Sequence, residues 1–442
     1  MKLILITIYF IVTLAIGFHS YKKIKNGKDF YVAGKDAGVL SVAGSLLATT
    51  LGSSAIIGSI NTAYNIGWAG SWLMICAAFG FFVLLFLVKY IKNFTGYNLP
   101  EMLGEFYGYE VKKISSIIIS IAWVGVVASQ LMGAANILTV LLGVTFTNGV
   151  VISGTIFTLY TMFGGQLSVL KTDFFQLIFI ILGIILVYLF ISGEPIMIQA
   201  PSFINSKFKY MDLFIMVLTY STTFIVGPDI YSRLFCAKDE KTMKASIIIS
   251  ICVLIPLAFM FGKIGIYGMQ VFQNVNLEGK SVLFVIASEK LSAFVSFGLY
   301  LGLLSAVISS ADTTLITAAS LLAQSFTKDM DSKNGILRTR LLMIVIGILA
   351  IIISIKMKHI LPTLFMALTI YSGAFIIPTI LGMIGFNPSK YITITAIITG
   401  GAVALFGKLY GGTNGNYIMI LAFLLNGFIM FLGDRIKKVS TV

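Results

Sequence analysis

Charge is scarce in this sequence. Of 442 residues 58% are hydrophobic and only 11% charged, and the acids are fewest, 17 against 31 Lys and Arg. A soluble globular chain carries about 25% charged residues, so that class is excluded. Chemistry-bearing side chains are just as sparse. There are two histidines, His19 and His359, far apart in the sequence, and three cysteines, Cys76, Cys236 and Cys252. No His/Cys/acid cluster shows metal-ligand spacing, and no nucleophile stands in an arrangement with a base. An enzyme is therefore not expected. The cysteines pack in or near helices and say nothing about redox compartment. No low-complexity tail and no stretch polar enough for a soluble domain interrupts the chain. Residues 1–442 read as one membrane domain.

What fills the chain instead is apolar segments of about 18 residues or more, each long enough to span a bilayer. Hydropathy gives an all-α polytopic membrane protein with about 13 transmembrane helices. Helix 0 covers residues 3–20. Helices 1 to 5 fall near 38–64, 68–92, 113–143, 147–163 and 173–192, and helices 6 to 10 near 211–232, 243–271, 293–326, 337–356 and 359–385. Helices 11 and 12 follow, near 389–409 and 415–433. Helix 0 lacks a small-residue cleavage site and meets a Lys-rich loop, so it reads as a retained helix and not a signal peptide.

The net charge of +14 invites a nucleic-acid partner, but its placement argues otherwise. Cations crowd alternate loops: Lys22 to Lys35, Lys89 to Lys113, Arg233 to Lys244, Lys328 to Arg340, and Arg435 to Lys438. The loops between hold only scattered ones, such as Lys207 and Lys280. By the positive-inside rule the rich loops face the cytoplasm. This predicts a multi-pass plasma-membrane protein with the N-terminus outside and the C-terminus cytoplasmic. Its partners are the lipid bilayer and small molecules, with no nucleic acid and no obligate protein partner.

Two blocks of five helices, about 38–192 and 211–385, have similar length and start on opposite sides of the membrane. That is how a 5+5 inverted repeat looks in a sequence, leaving one extra N-terminal helix and two extra C-terminal ones, about 389–433. The first helix of each block has a polar interruption: ATTLGSSA (Ala48–Ala55) in helix 1, TYSTTFIVGPD (Thr219–Asp229) in helix 6. Gly and Ser often only let membrane helices pack closely. In matching positions of two halves they predict broken helices and a midplane binding site.

Helix 8 carries AVISSADTTLITAAS (Ala306–Ser320). At 3.6 residues per turn Ala306, Ser309, Ser310, Thr313, Thr317 and Ser320 share one side. A helical Ser reaches back to the carbonyl three or four residues earlier, which brings the hydroxyls of Ser309 and Ser310 toward Ala306 O. Three neutral oxygens at one point suit a hard monovalent cation such as sodium. The competing reading is that the hydroxyls satisfy their own helix and glue its neighbours. Asp312 stands one turn past Ser309, Asp173 at the start of helix 5, and Asp229 four residues before Arg233, which predicts a boundary ion pair for the last.

Four strings in order and spacing resemble the sodium:solute symporter family, over nearly the whole chain. They are FYVAGKDAG (Phe30–Gly38), ASQLMGAANILTVLLGV (Ala128–Val144) with TLYTMFGGQLSVLKTDFFQ (Thr158–Gln176), GPDIYSR with AKDEK (Gly227–Arg233, Ala237–Lys241), and the helix 8 string with FTKD (Phe326–Asp329). The resemblance implies the leucine-transporter-type inverted-repeat fold and a sodium site. That site comprises the carbonyls of Ala48 and Leu51 in helix 1, the Ala306 carbonyl, and the hydroxyls of Ser309 and Ser310. It further implies a second site at Asp173, Ser309, Asp312 and Thr313. Some members have a hydroxyl where Asp312 stands, so a second sodium, a proton and purely structural bonding all stay open there. Solute candidates in such a fold are Ser53, Ser54, Gln130, Tyr220, Ser221, Thr222, Thr317 and Tyr371.

The function this implies is symport: Na⁺ entering down its gradient draws in a small organic solute by alternating access. No acid stands in helix 1 or 2 to grip sugar hydroxyls. Ser53 and Ser54 fall where a half-helix N-terminus begins, which leans toward an amino acid or other small carboxylate. The alternatives are a proton-coupled transporter of the same fold and a solute sensor that does not transport.

Overall fold

Within a bilayer each backbone amide must be satisfied inside its own segment, so long apolar runs can only be helices. The computed structural model folds this chain accordingly. It describes residues 2–440 except Asn93, Thr95, Ile196, residues 274–280, Lys328, Lys358 and His359. His359, Lys328 and Lys280 of the sequence reading thus lie outside the described residues. Among the described residues the β-type pairings are two isolated bridges, Ala37 with Ala237 and Asn205 with Phe208.

Ten stretches among the described residues are long and apolar enough to cross a membrane. Three shorter apolar helices join them: Ile11–Ser20, Val39–Thr50 and Phe146–Leu159. The expected count of 13 is not confirmed among the described residues, and some of the expected helices differ in form. Helix 1 is cut in two, Val39–Thr50 and Ser53–Ile66. Helices 4 and 5 run together as Phe146–Ser192, bent at Gly165, whose φ of 58° belongs to the left-handed region. Helix 5 therefore begins at Gly165 and not near 173, and Asp173 lies two turns inside it.

The break in helix 1 falls at Leu51 and Gly52, where ψ turns to 36° and 154°. Gly52 is required by close approach: a Cβ there would lie 2.7 Å from Ser310 Oγ of helix 8 and 3.2 Å from Gln130 Nε2 of helix 3. Helix 6 runs Tyr210–Met216, widens through Val217–Ser221, continues as Thr222–Val226 and stops. Pro228 pushes Gly227 into extended backbone, ψ 133°, and opens the next segment, Pro228–Leu234, at a position where its missing N–H costs nothing. Both expected broken helices are present.

Helix 8, Ala293–Gln324, is the axis of the bundle. From Gly302 to Ala319 every residue is buried, with helices 5, 3, 9 and the first half of helix 1 around it. Its polar residues thus meet protein on all sides, not along a single face. Ala37, before helix 1, pairs with the end of helix 6: its N–H donates to Cys236 O at 2.9 Å, and Lys238 N–H donates to Ala37 O at 3.2 Å. Cys76 and Cys236 are buried, whereas Cys252 is exposed on the outer face of helix 7.

Candidate functional site

Two helix 8 hydroxyls cross to the break in helix 1. Ser309 Oγ donates to Ala48 O at 3.0 Å and lies 3.2 Å from Ala306 O; Ser310 Oγ donates to Thr49 O at 3.3 Å. Leu51 caps this half-helix in the break itself. All of these residues except the half-buried Thr49 are buried. The oxygens gathered here are neutral, the donor set a dehydrated sodium ion takes. Further along, the bland reading holds: Thr313 and Thr314 hydroxyls donate to Ser309 O at 3.0 Å and Ser310 O at 2.7 Å within their own helix.

The second predicted constellation is arranged differently, because Arg233 reaches into it. Its side chain is fully buried. Nε donates to Ser45 O at 3.1 Å, Nη1 to the backbone oxygen of Asp229 at 2.9 Å, and Nη2 to Asp173 Oδ2 at 3.3 Å and to the Thr313 hydroxyl. Ser45 Oγ also donates to Asp173. The expected ion pair of Arg233 with Asp229 is therefore not formed; the guanidinium pairs with Asp173 instead. The break at Gly227 turns this short segment so that Arg233 points into the bundle. Asp312 Oδ1 accepts the Thr313 N–H at 2.7 Å, and its Oδ2 is buried without a hydrogen bond. Ser309 faces helix 1 and belongs with the first group.

Beside the helix 1 break is a cavity of about 70 Å³. Gly52, Ser54, Gln130, Trp123, Tyr220, Thr223, Phe224, Asp229, Ser310 and Thr314 are among its walls. A space of this size holds a few waters or a compact polar solute. Of the eight predicted solute residues it gathers Ser54, Gln130 and Tyr220. The other five turn elsewhere. Ser53 points at helix 3, where a Cβ on Gly133 would come within 2.2 Å of its hydroxyl. Ser221 meets Gly80 of helix 2 through its backbone carbonyl and is not among the cavity walls, and Thr222 Oγ1 donates to Leu218 O at 2.8 Å. Thr317 lines a smaller cavity with Tyr31, Asn98, Gln166, Ser232 and Ser320. Tyr371 OH donates to Val226 O, the carbonyl orphaned by the helix 6 break, and its ring meets Trp123 edge-on at 4.8 Å.

The sequence reading missed Trp123, Thr223 and Asp229 as cavity walls. For Asp229 a signal existed: an acid directly after the Gly-Pro break of helix 6. Its Oδ1 accepts from the Trp123 indole N–H.

A helix bundle whose paired broken helices meet a hydroxyl-rich central helix is the architecture of an ion-coupled secondary transporter. The family model for the sodium:solute symporter family matches residues 30–387, and the chain belongs to that family. It resembles the osmoregulated proline transporter OpuE of Bacillus subtilis at 23% identity, over 98% of this chain and 94% of the relative. It resembles the sodium/proline symporter of Staphylococcus aureus at 24% identity, over 79% and 74%. Among solved structures, a Na⁺-coupled sialic acid symporter in a substrate-bound outward-open state matches with a TM-score of 0.81 at 15% identity, covering 98% of this chain and 97% of that one. A nucleobase-cation-symport-1 family transporter in a closed conformation matches at 0.63 and 13% identity, over 92% and 94%. The chain is thus a sodium-coupled solute symporter of the plasma membrane, with Na⁺ as its coupling ion.

Proposed function

We propose that this symporter imports an amino acid by alternating access, and that sodium binds where helix 1 breaks beside helix 8. One observation carries the reading: Ser309 joins Ala306 O of its own helix to Ala48 O of the broken one, 3.2 and 3.0 Å away. An ion held by Ala48, Leu51, Ala306, Ser309 and Ser310 ties two helices whose separation changes as the bundle rocks. Sodium can drive transport only through such a difference in affinity between states. The solute occupies the adjacent cavity, and the proline transporters among the relatives support an amino acid there.

The repeats run over about 38–192 and 211–385, with 3–20 and 389–433 as additions outside them, the whole chain forming one transport domain. Loop charge supports an external N-terminus and a cytoplasmic C-terminus. The chain acts as a transporter and not as an enzyme. The buried, unpartnered Oδ2 of Asp312 supports a second reading, in which a proton is carried as well.

The test is thermal unfolding of the purified protein over an amino-acid library, in sodium and in potassium at equal ionic strength, with uptake into proteoliposomes for each hit. A solute that stabilises and accumulates only with sodium is expected. Equal effects in the two salts, in wild type and in Ser309→Ala/Ser310→Ala, refute the site. Uptake driven by a pH gradient in sodium-free medium would bring the proton reading forward.

A further inference from the structure

We infer that Asp229 is the counter-ion for a positively charged nitrogen on the transported solute. This rests on the central cavity being the solute site. The walls of that cavity include one carboxylate and no Lys, Arg or His. Asp229 is only part-buried there, and its carboxylate takes a single side-chain hydrogen bond, from Trp123. Among the described residues no cation comes within ion-pair distance of it. The nearest candidate, Arg233, touches only the backbone oxygen of Asp229 and spends its other N–H groups on Ser45, Asp173 and Thr313.

A second acceptor stands in the same walls. Gln130 donates Nε2 to Ser54 Oγ at 3.3 Å, leaving its Oε1 buried with no partner. Trp123, Tyr220 and Phe224 supply ring surface around these acceptors. A carboxylate without an ion-pair partner, an unmet amide oxygen and aromatic faces are together the surroundings of an organic ammonium. They repel a plain carboxylate and give a neutral sugar no reason to displace water. In a zwitterion the nitrogen lies toward Asp229, and the carboxylate toward the first amides of the half-helix that begins at Ser53.

The experiment pairs each amine-bearing solute with its isostere lacking the nitrogen. L-proline is set against cyclopentanecarboxylate, and glycine betaine against 3,3-dimethylbutanoate, in sodium-dependent thermal shift and competition of uptake by the full chain. In wild type every solute that binds is expected to carry a cationic nitrogen, and its isostere to bind about a hundredfold more weakly or not at all. Asp229→Asn keeps an acceptor for the Trp123 indole, so it should retain stabilisation by sodium alone while losing about a hundredfold in solute affinity. Trp123→Phe should keep the preference for the amine.

A solute that binds equally well without its nitrogen, or an Asp229→Asn protein that binds the amine as wild type does, overturns the inference. The isostere comparison decides it even where a variant fails to fold. If no solute shifts wild type in sodium, the solute-site reading itself falls, and this inference with it. Binding without regard to the nitrogen leaves that reading standing.

Discussion

Arg233 meets oxygen at every polar contact, deep in a membrane protein, and its guanidinium sits at the constellation where the sequence left a second sodium, a proton and structural bonding open. The fit is chemical. A guanidinium presents five N–H donors in a fixed fork, and four hydrogen bonds to Ser45, Asp173, Thr313 and the Asp229 backbone employ them. With a tethered cation in this place, the site proposed at Ser309 is the one left for sodium. We therefore expect a coupling ratio of one sodium per solute in reversal-potential measurements on proteoliposomes; a ratio of two would show that the guanidinium does not fill the position. Arg233→Leu alone strands Asp173 in a region both side chains share with no solvent, and should cost about 3–5 kcal/mol in unfolding free energy. Adding Asp173→Asn should return much of it. If the double variant is no better than the single, the ion pair is not what Arg233 supplies. At the proposed sodium site, Ser309→Ala/Ser310→Ala would remove two of the proposed ligands at about 1–3 kcal/mol each, so the sodium concentration for half-maximal stabilisation should rise at least tenfold. An unchanged sodium titration would refute the assignment.

The two sites were unequally legible, for a reason that lies in the helices. Ser309, Ser310 and Ala306 are neighbours on one helix, so their convergence follows from helical spacing. The breaks were equally local, since Gly52 and Gly227-Pro228 stand in matching places. Asp229 and Arg233 do share one helical turn, but the guanidinium meets only the Asp229 backbone oxygen and swings across to Asp173 of helix 5, a long-range partner that i,i+4 spacing does not reveal. Asp173 stands deeper in helix 5 than the apolar run from about 173 suggests, because the polar stretch before it, with Gln166, Lys171 and Thr172, is helical too. There Lys171 Nζ lies 3.5 Å from Ser20 Oγ at the end of the N-terminal helix. The break in helix 1 depends on Gly52 having no side chain. Gly52→Ala would set a methyl group 2.7 Å from Ser310 Oγ, so it should abolish sodium-dependent uptake while leaving membrane expression intact. Wild-type transport by that variant would mean the helices need not approach so closely. The break in helix 6 depends on Tyr371 in the same way. Tyr371→Phe orphans the buried Val226 carbonyl and should destabilise the protein by about 1–3 kcal/mol, read as a lower unfolding temperature.

Across the molecule, the junction of helix 1 and helix 8 is where the proposed sodium ion would bias shape. Helix 8 is buried throughout its middle, and the first half of helix 1 is held to it by the Ser309 and Ser310 contacts. Sodium bound between them favours whichever state keeps them together, by as much as its affinity differs between states and no more. The smaller cavity lies on the side of the basic loops, with Ser320 and Ser232 in its walls next to Tyr97 and Asn98. If inward opening widens that cavity, it would offer an ion leaving the proposed site at Ala48 and Ser309 a path toward the basic loops. A Ser320→Cys thiol, introduced after Cys252 has been replaced, should therefore report the equilibrium. Its reaction with a small maleimide should slow several-fold in sodium relative to potassium, and Ser309→Ala/Ser310→Ala should erase the difference. If sodium leaves the rate unchanged while still binding, the ion does not bias the gate. Its gradient could then do no work through this junction, however well the oxygens fit.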